Sequence, residues 1–307
     1  MATDLRIHVE TSELTAAQIA ARTRRIYDTV VQESSSLNAG NFTTIHPSDL
    51  GRLFALYDTG FFESQLHATL GPTPLRFRLS RRMTRAAGRT ATTLATPRWY
   101  EISVSTTLLL HCFAGDDHRP ITVTGLPCHD RLEALQRVME HELIHLTERL
   151  LWATSSCAAR RFQSMARRLF GHTEHTHALI TPSERALATF GIKPGDPVRF
   201  HYDGACYTGV VNRITRRASV LVKDPRGAPY ADGHRYATFY VPVEQLEALQ
   251  ADQSLGKRKQ PGDTGPLARR QERRRRRESN WTPPVRDAFQ RWRRVTCAGQ
   301  GVVPGKV

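Results

Sequence analysis

His141-Glu142-Leu143-Ile144-His145 is the stretch of this 307-residue chain whose residue types and spacing suit chemistry most directly. On a helix, residues four apart lie one turn apart, so His141 and His145 present their imidazoles to one point. That arrangement suits a zinc ion, and Glu142 is then placed to take a proton from water beside it. Two histidines do not complete a protein zinc site, so a third ligand must come from elsewhere in the chain. The candidates downstream are Cys157 and, in GHTEHTH, His172, His175 and His177.

The elements that would position these groups can be read from apolar spacing. From about Arg131 to Trp152, Leu132, Leu135, Val138, Met139, Leu143, Leu146 and Leu150 occupy more than one helical face, which predicts a buried helix. ATSSC breaks it. From Ala158, the residues Phe162, Met165, Ala166, Leu169 and Phe170 fall on one face, and Gly171 is placed as a C-terminal stop. At 1.5 Å per residue, the first helix runs about 10 Å past His145, and the second returns about 18 Å from Ala158 to Phe170. An antiparallel hairpin therefore brings His172 level with His141 and leaves Cys157 near the far end, unless the loop folds inward. His172 is the favoured third ligand on that arithmetic, Cys157 its rival, and His175 and His177 remain as further contacts.

Upstream, TAAQIAARTRRIYDTVV opens with a capping-box pattern at Thr15 and Gln18, and PSDLGRLFALYDTGFF reads as a second helix. LRFRLS alternates and RWYEISVS is rich in strand formers, which predicts a small antiparallel sheet around residues 75–106. HCFAGDDHRPITVTGLPCHD reads as a loop or partly ordered connection with turn chemistry. Downstream, short alternating runs separated by Asp203-Gly204, Asp224 to Gly227 and Asp232-Gly233 predict a small SH3-like β-barrel over 186–248. Residues 249–307 are rich in Gln, Gly, Pro and Arg, a composition that predicts a disordered tail. The fold class expected is α+β: an N-terminal helical segment over 1–45, a body over 46–185, the barrel and the tail.

Several motifs of the body, in order, resemble the SprT-like metalloprotease domain, the family that includes Spartan. LFALYDTGFF looks like its L-F-x-x-Y-(N/D) helix, and LSRRMTRAAGRT like its S-x-R-(M/L)-x-x-(T/A)-A-G segment. WYEISVSTTLL and HELIHL follow, and RFQSMARRLF is similar to the family's aromatic-anchored helix. The resemblance covers roughly residues 46–172. It implies a zincin-type fold, one Zn2+ held by His141, His145 and a third histidine, Glu142 as catalytic base, and cleavage of proteins. It further implies work near DNA, notably on DNA–protein crosslinks in DNA repair. The departure is at the third ligand: Ala158-Ala159 stands where the family has His-Gly before the aromatic residue, here Phe162. That departure motivates a second reading, a catalytically silent scaffold that binds nucleic acid.

The formal charge is +15, and residues 257–294 hold fourteen Lys/Arg against four Asp/Glu. Most of the attraction for a polyanion therefore lies in the tail, centred on Arg273, Arg274, Arg275, Arg276 and Arg277. In the predicted barrel, Arg213, Arg216, Arg217 and Lys223 are interleaved with Tyr202, Tyr207, Tyr230 and Tyr236, which suits phosphate contact and base stacking, or simply a barrel core. The partners expected are protein substrates and DNA, with no membrane, since no run of 18 apolar residues occurs. MATDLRIHVE lacks a secretory signal pattern, and five scattered cysteines without a CxxC pair suit a reducing compartment. The expected location is the cytoplasm, with nucleoid or nucleus according to the cell.

Overall fold

The computed structural model describes residues 2–93, 96–113 and 119–249. The tail beyond them, including Arg273 to Arg277, lies outside the described residues. The chain is mixed α+β with small sheets, and it divides into a unit of Met1–Val220 with Phe239–Ala248 and a second that includes Leu221–Thr238.

Four helices open the chain: α1 (Ala2–Thr11), α2 (Ala16–Glu33), α3 (Pro47–Phe62) and α4 (Gln65–Leu70). The capping box starts α2 as expected, with Thr15 Oγ1 accepting from the Gln18 amide and the Gln18 carboxamide oxygen accepting from the Thr15 amide. Next come β1 (Leu75–Ser80), β2 (Gly88–Thr92), β3 (Tyr100–Ser105) and the short helix α5 (Thr106–His111). The expected antiparallel sheet is instead mixed, in the order β1-β3-β2. β1 runs parallel to β3, with Phe77 opposite Ile102, and β2 runs antiparallel, with Thr90 opposite Ile102. The reason is burial: the buried apolar positions of these strands, Tyr100, Ile102 and Val104, all lie on β3, so β3 takes the centre and β2 is displaced to an edge.

The stretch expected as a loop or partly ordered connection contains a hairpin, β4 (Ile121–Val123) and β5 (Leu126–Cys128). Its turn residues Thr124 and Gly125 have φ of 54° and 79°, the double positive φ of a type I′ two-residue hairpin. Threonine is a poor residue there, which hid the hairpin in the sequence.

The long helix α6 (Arg131–Trp152) spans the predicted residues and is buried on several faces. Asp130 caps it, accepting from the Glu133 amide at 2.8 Å, and the same carboxylate accepts from Tyr27 Oη at 2.6 Å, which ties the cap to α2. α7 (Arg160–Phe170) follows and ends at Gly171, whose φ of 71° allows its amide to close back on the helix. Phe170 then sits among Tyr57, Phe61 and Phe62 of α3, with ring centroids 4.9–6.0 Å apart. This aromatic cluster packs α7 on the helical layer.

After α8 (Pro182–Phe190) come β6 (Pro197–Tyr202), β7 (Ala205–Ile214), β8 (Ala218–Pro229), β9 (Arg235–Val241) and β10 (Glu247–Ala248). They form a sheet in the order β10-β6-β7-β8-β9, which corrects the barrel expectation. The sheet is open because β10, two residues long, pairs with β6, and β9 stays an edge; among the described residues nothing joins the two ends. Within this part of the first unit, Phe200, Tyr202, Tyr207 and Phe239 pack ring on ring at 4.8–5.7 Å, so these tyrosines are used in packing. Within Leu221–Thr238, Tyr230 and Tyr236 meet edge to face at 5.2 Å.

Removing the Phe170 ring should leave a cavity against α3 and cost about 3–5 kcal/mol. Urea unfolding of Phe170→Ala measures this; an unchanged midpoint would show that α7 is held by something other than this cluster.

Candidate metal centre

His141 and His145 lie on one face of α6, with ring centroids 4.9 Å apart, and both rest on the buried ring of Phe162 at 4.8 and 4.6 Å. Phe162, from its position on α7, thus packs against both imidazoles from one side. Burial pushes both histidines down, His141 to about 3 and His145 to about 4. Neighbouring histidines add to the fall at His141, and Arg149 adds to it at His145. Both rings are therefore neutral at pH 7, the state that leaves a nitrogen lone pair for a metal.

The third member of the cluster is Cys157. Its sulfur and one nitrogen from each of His141 and His145 all lie within 4.8 Å of one another. Among the described residues, no other group of three or more His, Cys, Asp or Glu side chains is arranged to hold a metal ion. The favoured candidate, His172, is placed elsewhere. It returns along α6 to the height expected, but its Nε2 lies 2.9 Å from Glu140 Oε2 and its side chain is buried on that face of the helix. Rise per residue sets height, whereas the hundred-degree step from residue 140 to 141 sets direction, and only the first was available from spacing. Cys157 reaches the pair because the α6–α7 turn folds inward. Glu148 holds that turn, accepting from Ser155 Oγ at 2.7 Å, the Ser156 amide at 3.2 Å and Arg161 Nε at 2.7 Å.

Glu142 points from the same helix toward β2. Its Oε2 accepts from Thr90 Oγ1 at 2.7 Å, and this hydroxyl also reaches the Glu142 carbonyl oxygen at 3.1 Å. Burial raises the carboxyl to about 7, outweighing the Thr90 hydrogen bond and the attraction of Arg149. Gly88 leaves room for it: a β-carbon there would contact Glu142 Oε1 and lie 2.7 Å from its Cγ, inside any tolerable contact. These groups border a cleft of about 760 Å³ that also takes in His141, His145, Cys157 and residues 85–90 of the β2 edge.

His175 and His177 line this cleft too, without joining the cluster. His177 Nε2 lies 2.8 Å from the Arg85 carbonyl oxygen, and Val123 bridges to His177 beside the β4–β5 hairpin. Sequence reasoning did not find Gly88 and Thr90 as partners of Glu142, nor Glu148 and Ser155 as supports of the turn. The spacing of Glu148, three residues after His145, was an available signal; Ser155 carried none.

No family model, no curated protein and no solved structure matches the chain.

Glu142 keeps its proton in the folded chain up to about pH 7, whereas an ordinary carboxyl loses it near 4.5. The native state binds the extra proton in that window, so this group's effect is to lower stability as pH rises through it. In metal-free protein, wild type should lose on the order of 2–3 kcal/mol more between pH 5 and pH 8 than Glu142→Gln does. Urea unfolding of both proteins at the two pH values measures the difference; equal losses would show that the carboxyl is not held in this state.

Proposed function

We propose that the chain is a zinc-dependent peptidase of SprT-like type, acting on proteins at or near nucleic acid. The observation that carries the reading is the convergence of His141, His145 and Cys157 beside a buried, near-neutral carboxyl, Glu142, in one cleft. The donor set fits zinc, which takes imidazole and thiolate together, and both imidazoles are already neutral. Bound zinc would supply an acidified water and a Lewis acid for the scissile carbonyl.

The remaining work falls to the chain itself. A carboxyl near pH 7 is suited to accept a proton from water in the cleft and hand it to the departing amine nitrogen. Thr90 fixes one oxygen of Glu142, and the absence of a side chain at Gly88 keeps the other clear. β2 is an edge strand whose residues border the cleft, so an extended peptide has backbone groups to pair with along it. That feature favours a protein substrate over a small molecule. The nucleic-acid part of the reading rests on the Arg273 to Arg277 run and the charge around it.

Elemental analysis and a cleavage assay on DNA-bound protein test the centre together. Wild type and His172→Ala should each carry about one zinc per chain, and Cys157→Ala should lose it. Glu142→Gln should keep its zinc and lose activity by about 100-fold or more. Zinc retained without Cys157 but lost without His172, or cleavage undiminished in Glu142→Gln, would overturn the assignment. Separately, replacing all five arginines of 273–277 with alanine should flatten the salt dependence of duplex DNA binding, by up to about 4.5 in the slope of log K against log salt. An unchanged slope in a filter-binding salt series would remove these arginines from the interface.

A further inference from the structure

His145 does not face the cleft unsupported. Its Nδ1 lies 2.6 Å from Ser155 Oγ, and Ser155 Oγ lies 2.7 Å from Glu148 Oε2. The other oxygen of Glu148 is ion-paired with Arg161 at 2.7 Å, and its side chain has no exposed surface. A serine hydroxyl has one proton to give. The carboxylate of this ion pair can only accept, so the Ser155 proton goes to Glu148, and the Ser155 oxygen is left to accept from His145. The proton of neutral His145 is then on Nδ1, and its lone pair is on Nε2.

We infer that Glu148 and Ser155 are positioning residues of the metal centre, acting as a relay that sets the His145 tautomer and holds the turn carrying Cys157. The inference rests on the metal reading above and assigns these two residues their part in it. One carboxylate serves two ligands of the cluster. Through Ser155 it commits His145 to offering Nε2; through the Ser156 amide, one residue from Cys157, it draws the turn against α6. Metal-ligating histidines are generally oriented by such an outer partner on the second ring nitrogen, and loss of the partner weakens binding about 10–100-fold. His141 offers a contrast within the same site, since its Nδ1 is buried with no hydrogen-bond partner among the described residues. The preset nitrogen of the pair therefore belongs to His145.

The test uses the full chain, with cobalt(II) and zinc as probes. Ser155→Ala removes both hydrogen bonds of the relay, and Ser155→Thr restores the hydroxyl. Chelator competition should show metal affinity falling about 10–100-fold in Ser155→Ala and returning to within a few-fold of wild type in Ser155→Thr. The thiolate-to-cobalt absorption band should weaken with the first variant and recover with the second. Urea unfolding of the metal-free proteins checks that Ser155→Ala is folded. Equal affinity for wild type and folded Ser155→Ala would overturn the inference, as would a threonine variant no better than the alanine one. Nitrogen-15 NMR of metal-free protein separates this failure from failure of the metal reading. His145 should carry its proton on Nδ1 in wild type and lose that preference in Ser155→Ala. If wild type binds neither metal, the metal reading falls and with it the relay's role there, although the tautomer still reports whether the relay exists. A wild-type His145 protonated on Nε2 would overturn the relay whatever the metal result.

Discussion

Three carboxylates of one helix, Glu140, Glu142 and Glu148, are buried within about two turns of each other, and the surrounding structure is arranged around that constraint. A buried carboxyl without partners is far too costly to keep charged, so each must find donors or hold its proton. The three leave α6 in different directions and so claim different neighbours. Glu140 takes Tyr57 of α3, Arg137 and His172; Glu142 takes Thr90 of β2; Glu148 takes Ser155, Ser156 and Arg161 at the α6–α7 turn. In satisfying them the chain brings a helix, a sheet edge and a turn to α6, and the sheet edge and Cys157 of the turn border the cleft.

The kind of partner decides what each carboxyl can do. Burial pushes Glu140 up, but the Arg137 guanidinium and His172 prevail and hold it below its usual range. Two oxygens answered by a cation, a phenol and an imidazole make a structural group with nothing left for chemistry. Glu142, two residues on and near the opposite side of the helix, has among the described residues only a hydroxyl as its close side-chain donor, and burial wins there. Two carboxyls in one segment thus separate into a fixed anion and a group that keeps its proton to near pH 7, through their neighbours alone.

What could be read from the sequence follows the same division. Helices α2, α3, α6 and α7 were clear because apolar period and caps are local, and the HExxH pair was clear because a helix turn converts spacing into geometry. The order of strands was not: Leu75–Ser80 and Tyr100–Ser105 look alike as strand formers, and parallel pairing depends on where β2 goes. Closure of the second sheet was not readable either, since it depends on where the two residues of β10 pair. Gly88 could not be read as a clearance for Glu142, because the two are 54 residues apart and meet only through tertiary packing. The place of Cys157 beside His141 and His145 was not readable for a related reason. Spacing carried the height of His172 and was silent on the face, and it left open whether the turn folds inward.

That turn is not passive. Ala153 ends α6 at φ 59°, a left-handed conformation that costs a non-glycine residue on the order of 1–2 kcal/mol. A turn that left α6 without this reversal would carry Cys157 onward, away from His145. The reversal is held at both ends: Arg161 of α7 lies over the Trp152 ring at 4.2 Å and reaches Glu148, while Ser155 and the Ser156 amide close on the same carboxylate. A neutral group at 148 could satisfy some of these donors but would leave the Arg161 guanidinium without its counter-ion. The charge of Glu148 therefore explains why a strained alanine is tolerated, and the strained alanine explains how a thiol twelve residues beyond His145 comes to lie beside it.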